Sequence, residues 1–218
     1  MAYDTKTYLL QVGLGSLGYS FGPGAKYGDL DGDFGPKTQA AVNAFEAAQQ
    51  SKVTNPPQGF VALLISLAQS ELTKNIREAS QNQGPEIAKY WTATTYPEGY
   101  TNREPYCAAF VCWLFMTAAA ERTVPFSLPM SPVAYDFEGW ASENAGKGVF
   151  FAETPQAGDI FTLSTASHVG LVVGVTGQMI TTIEANTNSA GSREGDGVYN
   201  RVRPISTIRK IIRVNADI

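Results

Sequence analysis

The chain has 218 residues, 44% of them hydrophobic and 17% charged, with 16 basic against 20 acidic side chains for a net charge of −4. That is enough apolar material to bury a core without disulfide or metal staples, and it excludes wholesale disorder. The acidic, charge-poor balance argues against nucleic acid as a partner. Apolar runs such as Phe60 to Ala68 are too short to span a bilayer, and the first residues carry no apolar stretch of signal-peptide type.

In chain order, residues 1–75 read as a small helical unit. Asp4 suits the cap of a first helix that carries Leu10, Leu14 and Leu17 at helical spacing. A Gly- and Pro-rich loop from Gly18 to Gly28 follows. Pro36 then fits the first turn of a second helix, where its missing N–H costs nothing, with Val42 and Phe45 on the apolar face. Asn55-Pro-Pro-Gln-Gly59 breaks the chain, and Phe60 to Leu72 reads as a third helix.

Residues 76–218 change character. They stay helical up to Ala120, and Tyr106 to Ala120 is the most apolar helix of the chain. From Phe161 onward strand signals dominate. Val169, Leu171, Val173 and Val175 alternate with His168, Gly170, Val172 and Gly174, Met179 to Glu184 reads as a second strand, and Ile208 to Val214 as a last one. Helices first and strands after indicate an α+β fold with helices packed on an antiparallel sheet.

Two motifs are set aside on context. Gly13-Leu-Gly-Ser-Leu-Gly18 matches a dinucleotide fingerprint, but no βαβ unit surrounds it. Asp29, Asp31 and Asp33 resemble the start of a calcium loop, yet Phe34 stands where the required glycine should be and Ala40 where the bidentate Glu should be. Acidic turn residues before a helix are the preferred reading, and no cofactor or metal is expected.

The remaining chemistry centres on two cysteines and one histidine. Cys107 and Cys112 on one helix would point to different faces, so both are read as free thiols. Pro105 marks a helix start, which puts Cys107 in the first turn, where the partial positive charge of the helix terminus favours a thiolate. Packing in the core is the bland alternative, and this segment alone does not choose between them. Cys112 lies deeper and reads as inert core. His168 opens a strand on the face that carries glycines, which predicts open space before it. Glu184 and Asn186, two apart on the next strand, share a face. In a hairpin that face can be the one bearing His168, where a carboxylate or amide could orient the imidazole. A solvated strand end is the alternative for Glu184.

Four segments, Tyr106-Cys-Ala-Ala-Phe-Val111, Pro155-Gln-Ala-Gly-Asp-Ile160, Ser167-His-Val-Gly-Leu-Val-Val173 and Ile183-Glu-Ala-Asn-Thr187, occur in the order found in the CHAP family of cysteine, histidine-dependent amidohydrolases/peptidases, relatives of the NlpC-type papain-like peptidases. The resemblance covers roughly residues 76–214. It implies Cys107 as nucleophile, His168 as base, Glu184 as the group orienting His168 and Asn186 as an assisting residue, with peptidoglycan amide bonds as substrate. Residues 1–75 resemble a three-helix peptidoglycan-binding domain through Leu10 to Tyr19 and Asp31-Gly-Asp-Phe-Gly-Pro-Lys-Thr-Gln-Ala-Ala-Val-Asn-Ala-Phe45.

The resulting expectation is an endolysin-like, monomeric peptidoglycan hydrolase of two domains, 1–75 and 76–218. It would be made without a leader and would act on the bacterial cell wall after release or injection. A non-catalytic wall-binding or assembly protein and an injected toxin-type cysteine amidase are the alternatives.

Overall fold

The structure, a computed structural model, describes residues 5–17, 19, 21, 30–50, 59–165, 167–192 and 194–216. Asp4, Asp29 and most of the two loops read at Gly18–Gly28 and Asn55–Gly59 lie outside these residues. The described part contains helices α1 (Thr5–Ser16), α2 (Pro36–Gln50), α3 (Phe60–Thr73), α4 (Ala88–Trp91), α5 (Cys107–Glu121) and α6 (Asp136–Glu143). Its strands are β1 (Val149–Phe151), β2 (Ile160–Leu163), β3 (Val169–Thr176), β4 (Met179–Thr187), β5 (Gly197–Pro204) and β6 (Ile208–Val214).

The strands form one antiparallel sheet in the order β1-β6-β2-β3-β4-β5. This is the expected α+β architecture, with three strands that the sequence reading did not assign, β1, β2 and β5. β3 and β4 form the hairpin, closed by Gly177 and Gln178, and Gly177 supplies the positive φ that a two-residue turn favours.

The core follows from α5. Its sequence is apolar nearly all round, and a helix of that kind must be covered on several sides. Ala108 to Cys112, Leu114, Phe115 and Ala118 are all buried. α3 and α4 cover one flank and β3 and β4 the other, so Val169, Leu171, Ile183 and Ala185 of the sheet join Phe110 and Phe115 in one cluster. α3, grouped with the first helical unit in the sequence reading, contributes Phe60, Leu64 and Ala68 to this larger cluster, and Phe60 packs edge-on against Phe115 at 5.6 Å.

α1 and α2 build a separate, smaller cluster from Leu10, Leu14, Phe21, Ala41, Val42 and Phe45. It is closed by Met179 of β4 and Val202 of β5. The turn before α2 is held from inside by Gln11: Nε2 donates to Asp31 Oδ1 at 2.9 Å and to Thr38 Oγ1 at 2.8 Å, and Oε1 accepts the Gly32 N–H at 3.0 Å. Asp31 also accepts the Asp33 N–H. The acidic turn is thus hydrogen-bonded protein structure, in line with the preferred reading.

Two charged clamps brace the larger unit. Arg213 of β6 donates through Nε and Nη2 to the buried Asp159 at 2.8 Å each, which explains the aspartate in Pro155–Ile160 as a structural residue. Glu71 of α3 is buried and receives Tyr90 Oη at 2.6 Å, with Lys74 and Lys89 beside it.

Candidate active site

Cys107 is the first residue of α5, as Pro105 predicts, and is 5% exposed. His168 lies just before β3 and is fully buried. Glu184 is on the paired strand β4, also fully buried, and its Oε2 lies 2.8 Å from His168 Nε2. The solvated-strand-end reading of Glu184 therefore does not apply. His168 Nδ1 makes no hydrogen bond of ordinary geometry among the described residues. It is the ring nitrogen left to interact with Cys107.

The open space expected in front of His168 is filled. A Cβ on Gly170 would stand 2.8 Å from Glu184 Cγ and 2.9 Å from the Phe161 ring, so Gly170 is small to admit those side chains. What is open lies on the Cys107 side. A cleft of about 470 Å³ is lined there by Trp91, Tyr96, Glu104, Cys107, Val133 and Ser167, among others. Tyr96 and Glu104 come from the stretch 92–104 and Val133 from the stretch 121–157.

Burial alone pushes the Cys107 thiol up, but the proximity and charge of His168, with the N–H groups of Val169 and Ala108, outweigh it and leave the thiol below its ordinary range. His168 shifts the opposite way. Burial opposes its charge, while Cys107 and then Glu184 hold the imidazole protonated above its ordinary range. The two directions favour a thiolate on Cys107 and a proton on His168. Cys112 differs entirely: burial pushes it up to about 12, and its Sγ rests 3.4 Å from the Ser131 carbonyl.

Asn186 is not part of this array. The β4–β5 register shifts between Ala185 and Thr187, and Asn186 adopts a left-handed φ of 56°. This bulge undoes the two-residue alternation that would keep it on the face of Glu184. Its Nδ2 donates instead to Asn82 Oδ1 at 2.9 Å and to the Gly195 carbonyl at 3.3 Å. The structure thus brings Cys107, His168 and Glu184 together and places Asn186 in a buried polar contact behind them.

One participant was not anticipated. Arg203 of β5 donates to Glu184 through Nε to Oε1 and through Nη2 to Oε2, each at 2.6 Å. Thr182 Oγ1 donates to Oε1 at 2.5 Å. Burial favours the neutral acid at Glu184, but the charge and hydrogen bonds of Arg203, followed by those of His168, hold it ionised well below the usual carboxylate range. The available signal was the alternation in Val198-Tyr-Asn-Arg-Val-Arg203, closed by Pro204, which reads as an edge strand once a partner for it is known.

Residues 95–186 match the family described as CHAP domain. The match spans Cys107, His168, Glu184 and Asn186 and ends before β5, so Arg203 lies beyond it. Residues 4–54 match the family described as "Putative peptidoglycan binding domain", a range that takes in α1 and α2 and stops short of α3. No curated protein shows a significant match to the chain. Among solved structures, the crystal structure of Ly7917 with the hydrolyzing product of MDP is similar at 15% identity and a TM-score of 0.43, over 71% of this chain and 62% of that one. A second crystal structure of Ly7917 is similar at 14% identity and a TM-score of 0.38, over 72% and 62%. The chain spans about three-fifths of the length of these structures. Within residues 95–186, the helix start, the hairpin and the left-handed bulge set the positions of the four residues singled out from the sequence.

Proposed function

We propose that the protein is a peptidoglycan hydrolase that cleaves an amide bond by acyl transfer through Cys107. The bond is either the N-acetylmuramoyl–L-alanine link or a peptide bond of the stem or cross-bridge. The observation that carries this reading is the buried line Cys107–His168–Glu184, which meets a cleft at its thiol end, in a chain that also matches a peptidoglycan-binding family.

The Cys107 thiolate attacks the amide carbonyl carbon and forms a tetrahedral oxyanion, whose stabilisation we assign to the Cys107 backbone N–H at the start of α5. The C–N bond then breaks while the His168 imidazolium gives its proton to the leaving amine. A thioester remains. Neutral His168 next takes a proton from water, hydroxide adds to the thioester carbonyl, and collapse releases a carboxylic acid and restores the thiolate–imidazolium pair. Glu184 holds the imidazole by its far nitrogen and stabilises its charge.

We assign wall binding to α1 and α2, and we count α3 with the catalytic unit because its apolar face packs there. On this reading the site of action is the bacterial cell wall. Mass spectrometry of muropeptides released from purified walls tests the proposal and names the bond. New amine and carboxyl ends with the wild-type protein and none with C107A are expected. Walls left unchanged by the wild type, or equal cleavage by C107A, overturn it.

A further inference from the structure

The bidentate contact between Arg203 and Glu184 has no part in the proton transfers just described, yet it controls the group behind the histidine. Glu184 is fully buried, and its carboxylate is held at both oxygens: Oε1 by Arg203 Nε and Thr182 Oγ1, Oε2 by Arg203 Nη2 and His168 Nε2. Two parallel N–H···O bonds from a planar guanidinium fix the plane of a carboxylate, which a single ammonium does not do. The Arg203 side chain is itself only 12% exposed, so it is firmly confined.

We propose that Arg203 is a positioning residue for the reaction: by clamping both oxygens of Glu184 it fixes the carboxylate plane so that Oε2 stays aimed at His168 Nε2. The proposal rests on the Cys107–His168 reading above.

The surroundings leave this task to Arg203. Tyr199 stands opposite Glu184 in the β4–β5 register, but its hydroxyl donates to Asp196 at 2.7 Å and its ring lies under Arg77. Arg201, opposite Thr182, turns to the Ser189 carbonyl and the Phe34 ring. From β3, Gly170 offers no side chain, and from β2 Phe161 offers only its ring. Among the described residues, the charged groups that bond to the Glu184 carboxylate are His168 and Arg203. Without the guanidinium, burial acts on a carboxylate with one remaining cationic partner. Protonating that carboxylate would remove the acceptor that orients the imidazole.

The test compares wild type, R203Q and R203K on soluble muropeptides, with kcat and KM measured across pH. R203Q keeps hydrogen-bonding capacity and loses the charge. Its kcat is expected to fall on the order of 10–100-fold, the scale for groups that hold a functional side chain from behind. KM should be nearly unchanged, and the acidic limb of the kcat profile should move to higher pH by about one unit or more. R203K keeps the charge and should return that limb toward the wild-type position. A purely structural role predicts an equal loss at every pH, so an unmoved acidic limb in R203Q overturns the proposal, as does an R203K limb identical to that of R203Q.

A second readout needs neither turnover nor a folded R203Q. His168 is the one histidine in the chain, so imidazole ¹⁵N and N–H proton signals are assigned without ambiguity. In R203K the Nε2–H proton should exchange with water faster than in wild type, because the two-pronged hold on its acceptor is gone. Identical exchange overturns the clamp. If C107A retained activity while this NMR difference was present, the catalytic reading would fail and the Arg203–Glu184 coupling would stand.

Discussion

Gly170 and Glu184 meet across the β3–β4 hairpin so closely that a single added methyl group on the glycine would stand 2.8 Å from Glu184 Cγ. That approach lets a carboxylate sit fully buried beside His168, with Phe161 closing the same gap. Gly170→Ala should therefore displace Glu184, whose Cγ is near its own backbone and cannot swing clear. A stability loss of about 1–3 kcal/mol is expected from overpacking, together with a drop in turnover larger than the fold loss explains. Thermal melts and kcat on soluble muropeptides check this, and an unchanged kcat would mean that the carboxylate has room to move.

Cys107→Ala and His168→Ala should each abolish wall lysis, whereas Cys112→Ala should not. The first two remove the ends of the thiolate–imidazolium pair, and Cys112 is a buried side chain packed against the Ser131 carbonyl. Groups that act as a unit lose activity non-additively, so the double variant at 107 and 168 should be no worse than either single one. Turbidity loss of purified walls reads all four proteins.

Alkylation separates the thiols more directly. Cys107 lies below its ordinary range because His168 outweighs burial, so iodoacetamide should modify it at a lower pH than an ordinary thiol while Cys112 stays intact. In His168→Ala the opposing influence is gone and burial remains. The alkylation profile of Cys107 should then move up past the ordinary thiol range. Peptide mapping after a pH series tests both, and a profile that stays put in His168→Ala would remove the basis for the ion pair.

Glu184→Gln should lower turnover about 10²–10⁴-fold, the scale for a group that orients a catalytic histidine. Glu184 is one of the groups that hold His168 protonated, so without its charge the imidazolium loses its proton at lower pH. The alkaline limb of the pH profile should accordingly shift to lower pH. Arg203 would keep an amide oxygen to donate to but lose its counter-charge, at a stability cost of up to about 3 kcal/mol. Asn186→Ala, by contrast, should leave the limb where it is and lower the melting temperature, since Asn186 bonds to Asn82 and Gly195 instead of the imidazole. A shifted limb in Asn186→Ala would assign it the orienting role.

Removing residues 1–75 should yield no folded product. The cut takes away Phe60, Leu64 and Ala68, fully or almost fully buried against α5, and each large apolar side chain contributes about 1.5–3 kcal/mol. Removing residues 1–58 keeps α3 and should fold, with a lower melting temperature because Met179 and Val202 are bared. Circular dichroism of both truncations decides, and a folded product from residues 76–218 would show that α3 is dispensable.

Much of this was legible in the sequence because it depends on local order. Pro105 before an apolar run marks the start of α5 and hence the place of Cys107, and strict alternation marks β3 and the side from which His168 projects. What escaped depends on departures from regularity or on pairing at a distance. Asn186 follows period-two logic until the bulge at Ala185–Thr187 turns it away, and one residue's left-handed backbone leaves no hydrophobic signature. Arg203 is invisible until β5 is known to lie beside β4, since nothing in an arginine near the end of a chain reveals a glutamate nineteen positions earlier as its partner. The side on which α3 packs was not legible, because apolar spacing in Phe60–Leu72 shows that a face is buried without showing which core buries it.

Strand β5 serves two masters in consecutive residues: Val202 closes the cluster of α1 and α2, and Arg203 grips Glu184. Recombination that exchanges wall-targeting modules between enzymes treats them as interchangeable cartridges. Here the socket is moulded to its occupant, because Met179 and Val202 become naked apolar surface when α1 and α2 are replaced by a foreign module. A working chimera must either bring a matching apolar face to these two side chains or carry polar replacements at both positions, and its designer has to make those changes one residue away from the arginine that backs the histidine.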